Sequence, residues 1–158
     1  MIDIKFEHQP KIIWQTRILT LAGALPFLIA LLLVIFPQAG FDGVYLATSY
    51  AALIISFLCG TLWTQALKAS DPALSPLLIK SNLVTLMAWV ALLFLPNLGT
   101  LVLHGLCFLY LLFLDHSLFL RGYLPPWYYS LRRMVTVLVF TLIVLLMGAL
   151  TFSLRFTI

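Results

Sequence analysis

Stretches of about twenty residues with almost no charge recur along this chain, and the connections between them are too short to fold alone. A hydrocarbon core about 30 Å thick is crossed by roughly 20 helical residues rising about 1.5 Å each. Five runs approach that length, over residues 18–36, 44–67, 78–95, 98–120 and 134–156. Lys80 and Asn82 interrupt the start of the third, so its full length requires Lys80 to snorkel to the surface. Turn-forming segments divide the runs: PQAGFDG, KASDPALSP, PNLG and RGYLPPWYYSLRR. Hydrophobic residues make up 63% of the 158 residues and charged residues only 9%. With a mean hydropathy of +1.13, the chain cannot build the charged exterior of a soluble domain. The expected fold class is all-α, a polytopic helical membrane protein with five transmembrane helices in one integral membrane domain, residues 1–158.

The basic residues predict an orientation. With the N-terminus inside, Lys5, Lys11, Arg17, Lys68, Lys80, Arg121, Arg132 and Arg133 fall on the cytoplasmic side and only Arg155 on the other, which by the positive-inside bias predicts N-in and C-out. The first run is long for a secretory signal and is not followed by a small-residue cleavage site, so it is read as a span. Ile12, Ile13 and Trp14 beside Lys11 and Arg17 fit either a segment lying along the interface or a frayed tail, and both stay open.

Within the spans, most features have packing explanations. Thr48, Ala52, Ser56, Gly60 and Thr64 recur every four residues, a ridge of small side chains expected to seat neighbouring helices. Pro26 removes one backbone hydrogen bond and should bend the first span, with Ala22 and Gly23 leaving room one turn earlier. Trp89 lies mid-span, where its indole N–H is expected to bond a neighbouring helix. His104, Cys107, Leu111 and Asp115 share one helical face, and Cys59 could join them. Imidazole and thiolate are metal-ligand chemistry, but His104 and Asp115 stand about 16 Å apart along a helix, too far for one ion. His104 and Cys107 are therefore weak metal candidates, and no metal or cofactor is expected. The two cysteines lack finger spacing and lie inside apolar runs, against a disulfide framework. Neither a phosphate loop, a metalloprotease helix nor paired catalytic carboxylates occur. Of five acidic residues only Asp115 lies within a span, which leaves proton-coupled transport few places to work. The basic residues are accounted for by topology, so nucleic acid is not an expected partner.

One segment concentrates chemistry. Asp115, about a turn inside the end of the fourth span, needs a cationic partner, because an unpaired buried carboxylate costs several kcal/mol. Arg132 and Arg133 are the nearest by topology, with Arg121 and Lys80 as alternatives. Pro125 and Pro126 suit the first turn of a new helix, and Trp127, Tyr128 and Tyr129 then fall at headgroup depth. Asp115, Arg121, Trp127, Tyr128, Arg132 and Arg133 are the candidates for holding a ligand or headgroup. Ala52, Ser56, Gly60 and Pro26 are the candidates for helix packing.

The series LAGALPF, YAALIISFLCGTLW, AWVALLF, LHGLCFLYLLFLD and LPPWYYSLRRMVT resembles a small multi-pass membrane family of unknown function typified by transmembrane protein 69. The resemblance covers roughly residues 20–145, and its family-like positions are Trp63, Asp115, Pro126, Trp127, Tyr128, Leu131 and Arg132. Cys59, Thr64 and the pair Val84-Thr85 depart from the family pattern, which tends to glycines and a proline-serine pair there. The resemblance implies no catalytic role; it implies a bacterial inner membrane first and a mitochondrial membrane second. The expected function is a non-enzymatic scaffold, accessory or assembly factor of a membrane complex, surrounded by lipid and joined by a membrane-protein partner or a second copy. The alternative is a lipid- or quinone-head binding protein, or small carrier, using the Asp/Arg/aromatic cluster.

Overall fold

The computed structural model describes residues 10–37, 40–69 and 71–156, with side chains through residue 152. Lys5 and the side chain of Arg155 lie outside the described residues. Six α-helices account for nearly all of it: α1 (Pro10–Ala22), α2 (Leu25–Ile35), α3 (Gly43–Ala69), α4 (Pro76–Phe94), α5 (Asn97–Leu120) and α6 (Pro126–Phe156). A 3-10 turn, Pro72–Leu74, leads into α4. Five segments are long and apolar enough to cross a membrane: Pro10–Ile35, Gly43–Ala69, Pro72–Phe94, Asn97–Leu120 and Pro126–Phe152. The expected all-α, five-span class is therefore the class found. The helices run past the apolar runs, because proline at a first turn and polar residues at headgroup depth extend them without cost.

The boundaries follow from local chemistry. Asp42 caps α3, its Oδ1 accepting from the backbone N–H of Val44 at 2.8 Å and Tyr45 at 3.0 Å. Asp71 does the same for the 3-10 turn, accepting from Ala73 N–H at 2.9 Å. At the end of α5, Gly122 takes the left-handed conformation (φ 79°). Its N–H bonds the Phe119 carbonyl and the Tyr123 N–H bonds the Leu118 carbonyl, both at 3.0 Å, which closes the helix with a Schellman motif. The first span is broken rather than bent: α1 ends at Ala22, and α2 restarts at Leu25 with Pro26 in its first turn. Pro26 cannot donate to the carbonyl one turn back, and Gly23 and Ala24 absorb the interruption. Residues 10–17 belong to α1 itself, so the stretch from Ile12 to Trp14 is helical and continuous with the residues up to Ala22.

The packing is that of a bundle whose solvent is lipid. α3 packs against α2, α4 and α5, while α6 packs against α5 and α2. Large apolar side chains face outward, among them Phe57, Phe94 and Leu120. The interior combines apolar side chains such as Phe27, Ile55, Leu111 and Leu146 with small and polar ones, Ala30, Ala47, Ala51, Ala88, Ser81, Thr48, Thr100 and His104, as expected where helices associate by close approach and hydrogen bonds. The tightest approach is between α2 and α3, where a Cβ on Gly43 would lie 2.5 Å from the Ala30 carbonyl oxygen. Gly43, Ala47 and Ala51 make this seam, and all three are buried. The ridge expected from the sequence behaves otherwise: Thr48 is buried and Ala52 half-buried, but Ser56, Gly60 and Thr64 are exposed. A four-residue step drifts about 40° per repeat on a helix of 3.6 residues per turn, so the ridge winds out of the interior. A Cβ on Gly60 would meet nothing within 4 Å. Trp89 also departs from expectation. Its ring is exposed on the outer face of α4 rather than buried against a neighbouring helix.

Candidate functional site: a polar cleft between the helices

The C-terminal end of α5 and the first turns of α6 are held by one buried ion pair and a set of rings. Arg132 Nε donates to Asp115 Oδ2 at 2.8 Å, and both residues are buried. Among the cations considered, Arg132 is the partner. Arg133, one residue on and rotated about 100° round the helix, is exposed and forms no ion pair with a described residue. Tyr129 stacks on Phe119 with centroids 4.6 Å apart and lies 5.4 Å from His116. Trp127 meets Tyr128 edge-on at 5.8 Å.

The loops outside the spans carry a second, exposed contact. The Tyr123 hydroxyl donates to Asp71 Oδ2 at 2.5 Å, tying the turn after α5 to the turn before α4. This bond holds the Asp71 carboxyl below its ordinary value, helped by the Ala73 N–H and the nearby Arg121 charge. The same bond raises the Tyr123 phenol above its ordinary value. Arg121 thus belongs to this loop pair, not to the Asp115 cluster.

Between the first span, α3, α5 and α6 lies a cleft of about 370 Å³, within the size range of small-molecule sites. Leu19 and Phe57, which line it, are exposed on the outside of the bundle, so the cleft opens toward lipid. Gly23, at the break in the first span, contributes to its wall; irregular backbone at membrane depth belongs where it lines a cavity. Phe27, Phe57, Phe108 and Tyr128 supply aromatic surface, and Leu58, Leu131, Val135 and Val139 supply aliphatic surface.

The polar side of the cleft comes chiefly from one face of α6. Tyr128, Arg132 and Thr136 are spaced four residues apart and all line it. Tyr128 also interacts with the hydroxyl of Thr61, another lining residue. Because Arg132 engages Asp115 through Nε, its terminal nitrogens are not spent on the carboxylate. Thr136 differs from most of the helical threonines. Thr16, Thr48, Thr61, Thr64, Thr141 and Thr151 each donate to a carbonyl three or four residues earlier. The Thr136 hydroxyl is buried and has no hydrogen-bond partner, a condition costing about 1–3 kcal/mol.

The structure thus gathers Asp115, Tyr128 and Arg132 with Trp127 beside them, and leaves Arg121 and Arg133 elsewhere. Thr136, Thr61 and the cleft-facing part of α1 carry no expectation from the sequence. The spacing of Thr136, four residues beyond Arg132 and eight beyond Tyr128, is the signal that points to it. His104 and Cys107 are both buried in the bundle, and the His104 Nδ1 has no hydrogen-bond partner. The His104 Nε2–H donates to the Ala88 carbonyl at 3.0 Å, pinning α5 to α4, and Cys107 is buried as a free thiol. Among the described residues, no three His, Cys, Asp or Glu side chains gather as a metal site requires.

Five spanning-length helices, four of them around a cleft whose wall includes the arginine of a buried ion pair, define a polytopic α-helical membrane protein. The chain belongs to the family described as protein of unknown function (DUF3429), whose model matches residues 12–148. It is similar to transmembrane protein 69 of Xenopus tropicalis, 36% identical over 136 residues, covering 79% of this chain and 51% of the relative. The chain therefore spans about half the length of that curated relative, and the resemblance read from its motifs is to the same family. No solved structure matches it.

Proposed function

We propose that this is a non-catalytic membrane protein that holds a lipid-soluble molecule in the cleft between the first span, α3, α5 and α6. The observation that supports the reading is the combination of a 370 Å³ lipid-facing cavity with a buried, unpartnered hydroxyl at Thr136 in its wall. A cleft filled only by lipid tails gives that hydroxyl nothing to bond. Between the two roles expected from the sequence, scaffold and head-binding, the cleft favours the second. The basic residues argue for an N-in orientation, with the Asp71–Tyr123 loops facing the cytoplasm. A bacterial inner membrane is the first assignment; the frog relative extends the family to eukaryotes, where the matrix side of a mitochondrial membrane takes the place of the cytoplasm.

Purification in mild detergent, followed by mass spectrometry of retained small molecules, tests the proposal. The parent protein should retain one class of lipid-soluble molecule in near-stoichiometric amount, and Thr20→Phe, which fills the cleft, should not. Equal retention by both would overturn the cleft as the site.

A further inference from the structure

We infer that the cleft takes a neutral ring bearing carbonyl acceptors on opposite edges and a hydrocarbon tail, the chemistry of a membrane quinone. The inference rests on the cleft being a ligand site, and it adds the identity of the head.

Charge comes first. Among the described residues, Arg132 is the only lysine or arginine that lines the cleft, and its charge is already matched by Asp115. An anionic head would bring an uncompensated negative charge into a buried region, which is costly. The groups that face the space are nonetheless hydrogen-bond donors: the Arg132 guanidinium, the Thr136 hydroxyl and the Tyr128 phenol. A neutral acceptor satisfies those donors without adding charge.

Depth and spacing narrow the class further. Thr136 lies one turn beyond Arg132 and two residues into the apolar run that begins at Met134, so its hydroxyl sits just below the headgroups, inside the edge of the hydrocarbon core. A phospholipid head remains at the interface, whereas a quinone ring is itself soluble in hydrocarbon. Arg132 and Thr136 are one turn apart, about 6 Å along the axis, a separation that two carbonyls on opposite sides of one ring can span. Phe27, Phe57 and Phe108 line the same space and offer faces and edges to a flat ring. A volume of about 370 Å³ admits a ring and the start of a tail, and the exposed Leu19 and Phe57 mark where the tail passes into lipid. Only binding is inferred, with no electron transfer.

The test uses the full chain in detergent and three probes: a decyl-tailed benzoquinone, decanol, and phosphatidylglycerol. Binding is measured by quenching of tryptophan fluorescence for the quinone, by competition for the other two, and by shift of the melting temperature. The quinone should bind saturably and more tightly than decanol, and phosphatidylglycerol should not displace it. Thr136→Val should weaken quinone binding about three- to tenfold, the worth of one hydrogen bond, while raising the melting temperature of the unliganded protein. A purely structural role for Thr136 would leave the quinone affinity unmoved, and that result overturns the inference. Decanol binding as tightly as the quinone, or displacement by phosphatidylglycerol, overturns the head assignment while leaving the cleft in place. If Thr20→Phe binds the quinone as well as the parent does, the cleft reading itself fails.

Discussion

At the scale of single residues, the determining interaction is the buried pair of Asp115 and Arg132. Removing one partner leaves the other charged and unpaired among apolar groups. Asp115→Asn and Arg132→Gln are each expected to destabilise the protein by about 3–5 kcal/mol. Arg133→Gln, at an exposed position, should stay within about 0.5 kcal/mol of the parent. Melting in mild detergent checks this, and similar losses for all three would remove the pair from its central place. Replacing both partners with apolar residues, as in Asp115→Leu with Arg132→Met, should recover much of the loss, since the pair paid for its own desolvation. The need of Asp115 for a cation was legible because a carboxylate in an apolar run has few alternatives. Which arginine serves it was not, because adjacent residues differ by about 100° in direction and only the packed helices choose between them. Thr136 escaped notice for the opposite reason. A threonine in a helix ordinarily satisfies itself on its own backbone, so its hydroxyl carries no sign in sequence that it faces a cavity.

At the scale of elements, two helix contacts make contrasting predictions. A Cβ at Gly43 would lie 2.5 Å from the Ala30 carbonyl, so Gly43→Ala should force α2 and α3 apart and cost about 1–3 kcal/mol. Gly60→Ala has open space around it and should be neutral, or stabilising by up to about 1 kcal/mol through helix propensity. A melt of each variant decides, and the reverse order would mean that the exposed ridge is the true seam. The ridge read from the sequence lies mostly outside this chain's own interior; both ridges are small residues repeating every four positions, and periodicity alone does not say which face meets a neighbour within the chain. Cys59 and Thr85, two departures from the family pattern, touch across α3 and α4, a relation that linear spacing cannot reveal. The loop contact has its own pH dependence. Asp71 is held below its ordinary 3.8, so its contribution is present above that pH and is lost as pH falls through the lowered value. Tyr123 is raised above its ordinary 10.0, so its contribution is present below that pH and is lost as pH rises through the raised value. Hydrogen exchange of residues 71–75 should therefore be slowest between these limits, after correction for the intrinsic rate. Tyr123→Phe should abolish the alkaline-side change and shrink the acid-side one, which the Ala73 N–H also sustains, and a parent-like profile in that variant would exclude the bond as its cause.

For the molecule as a whole, the five-span architecture was legible because lipid imposes length and backbone satisfaction on any crossing segment. The break in the first span was less so. Proline marks a disturbed hydrogen bond, but whether a helix bends or stops depends on what the freed backbone faces, and here Gly23 faces the cleft. Orientation is an electrostatic inference that labelling can test directly. Cys59 and Cys107 are buried and free, so they should react poorly with a membrane-impermeant maleimide and provide a quiet background. Ser75→Cys and Arg121→Cys lie at the end of the bundle tied together by Asp71 and Tyr123, while Phe41→Cys and Asn97→Cys lie at the other, all four at exposed positions. With N-in topology the first two should label only in inverted vesicles and the second two only in right-side-out vesicles. The reverse pattern would invert the orientation while preserving the fold. Labelling of one residue from each pair on the same face would break the five-span arrangement itself, and with it the depth assigned to Thr136.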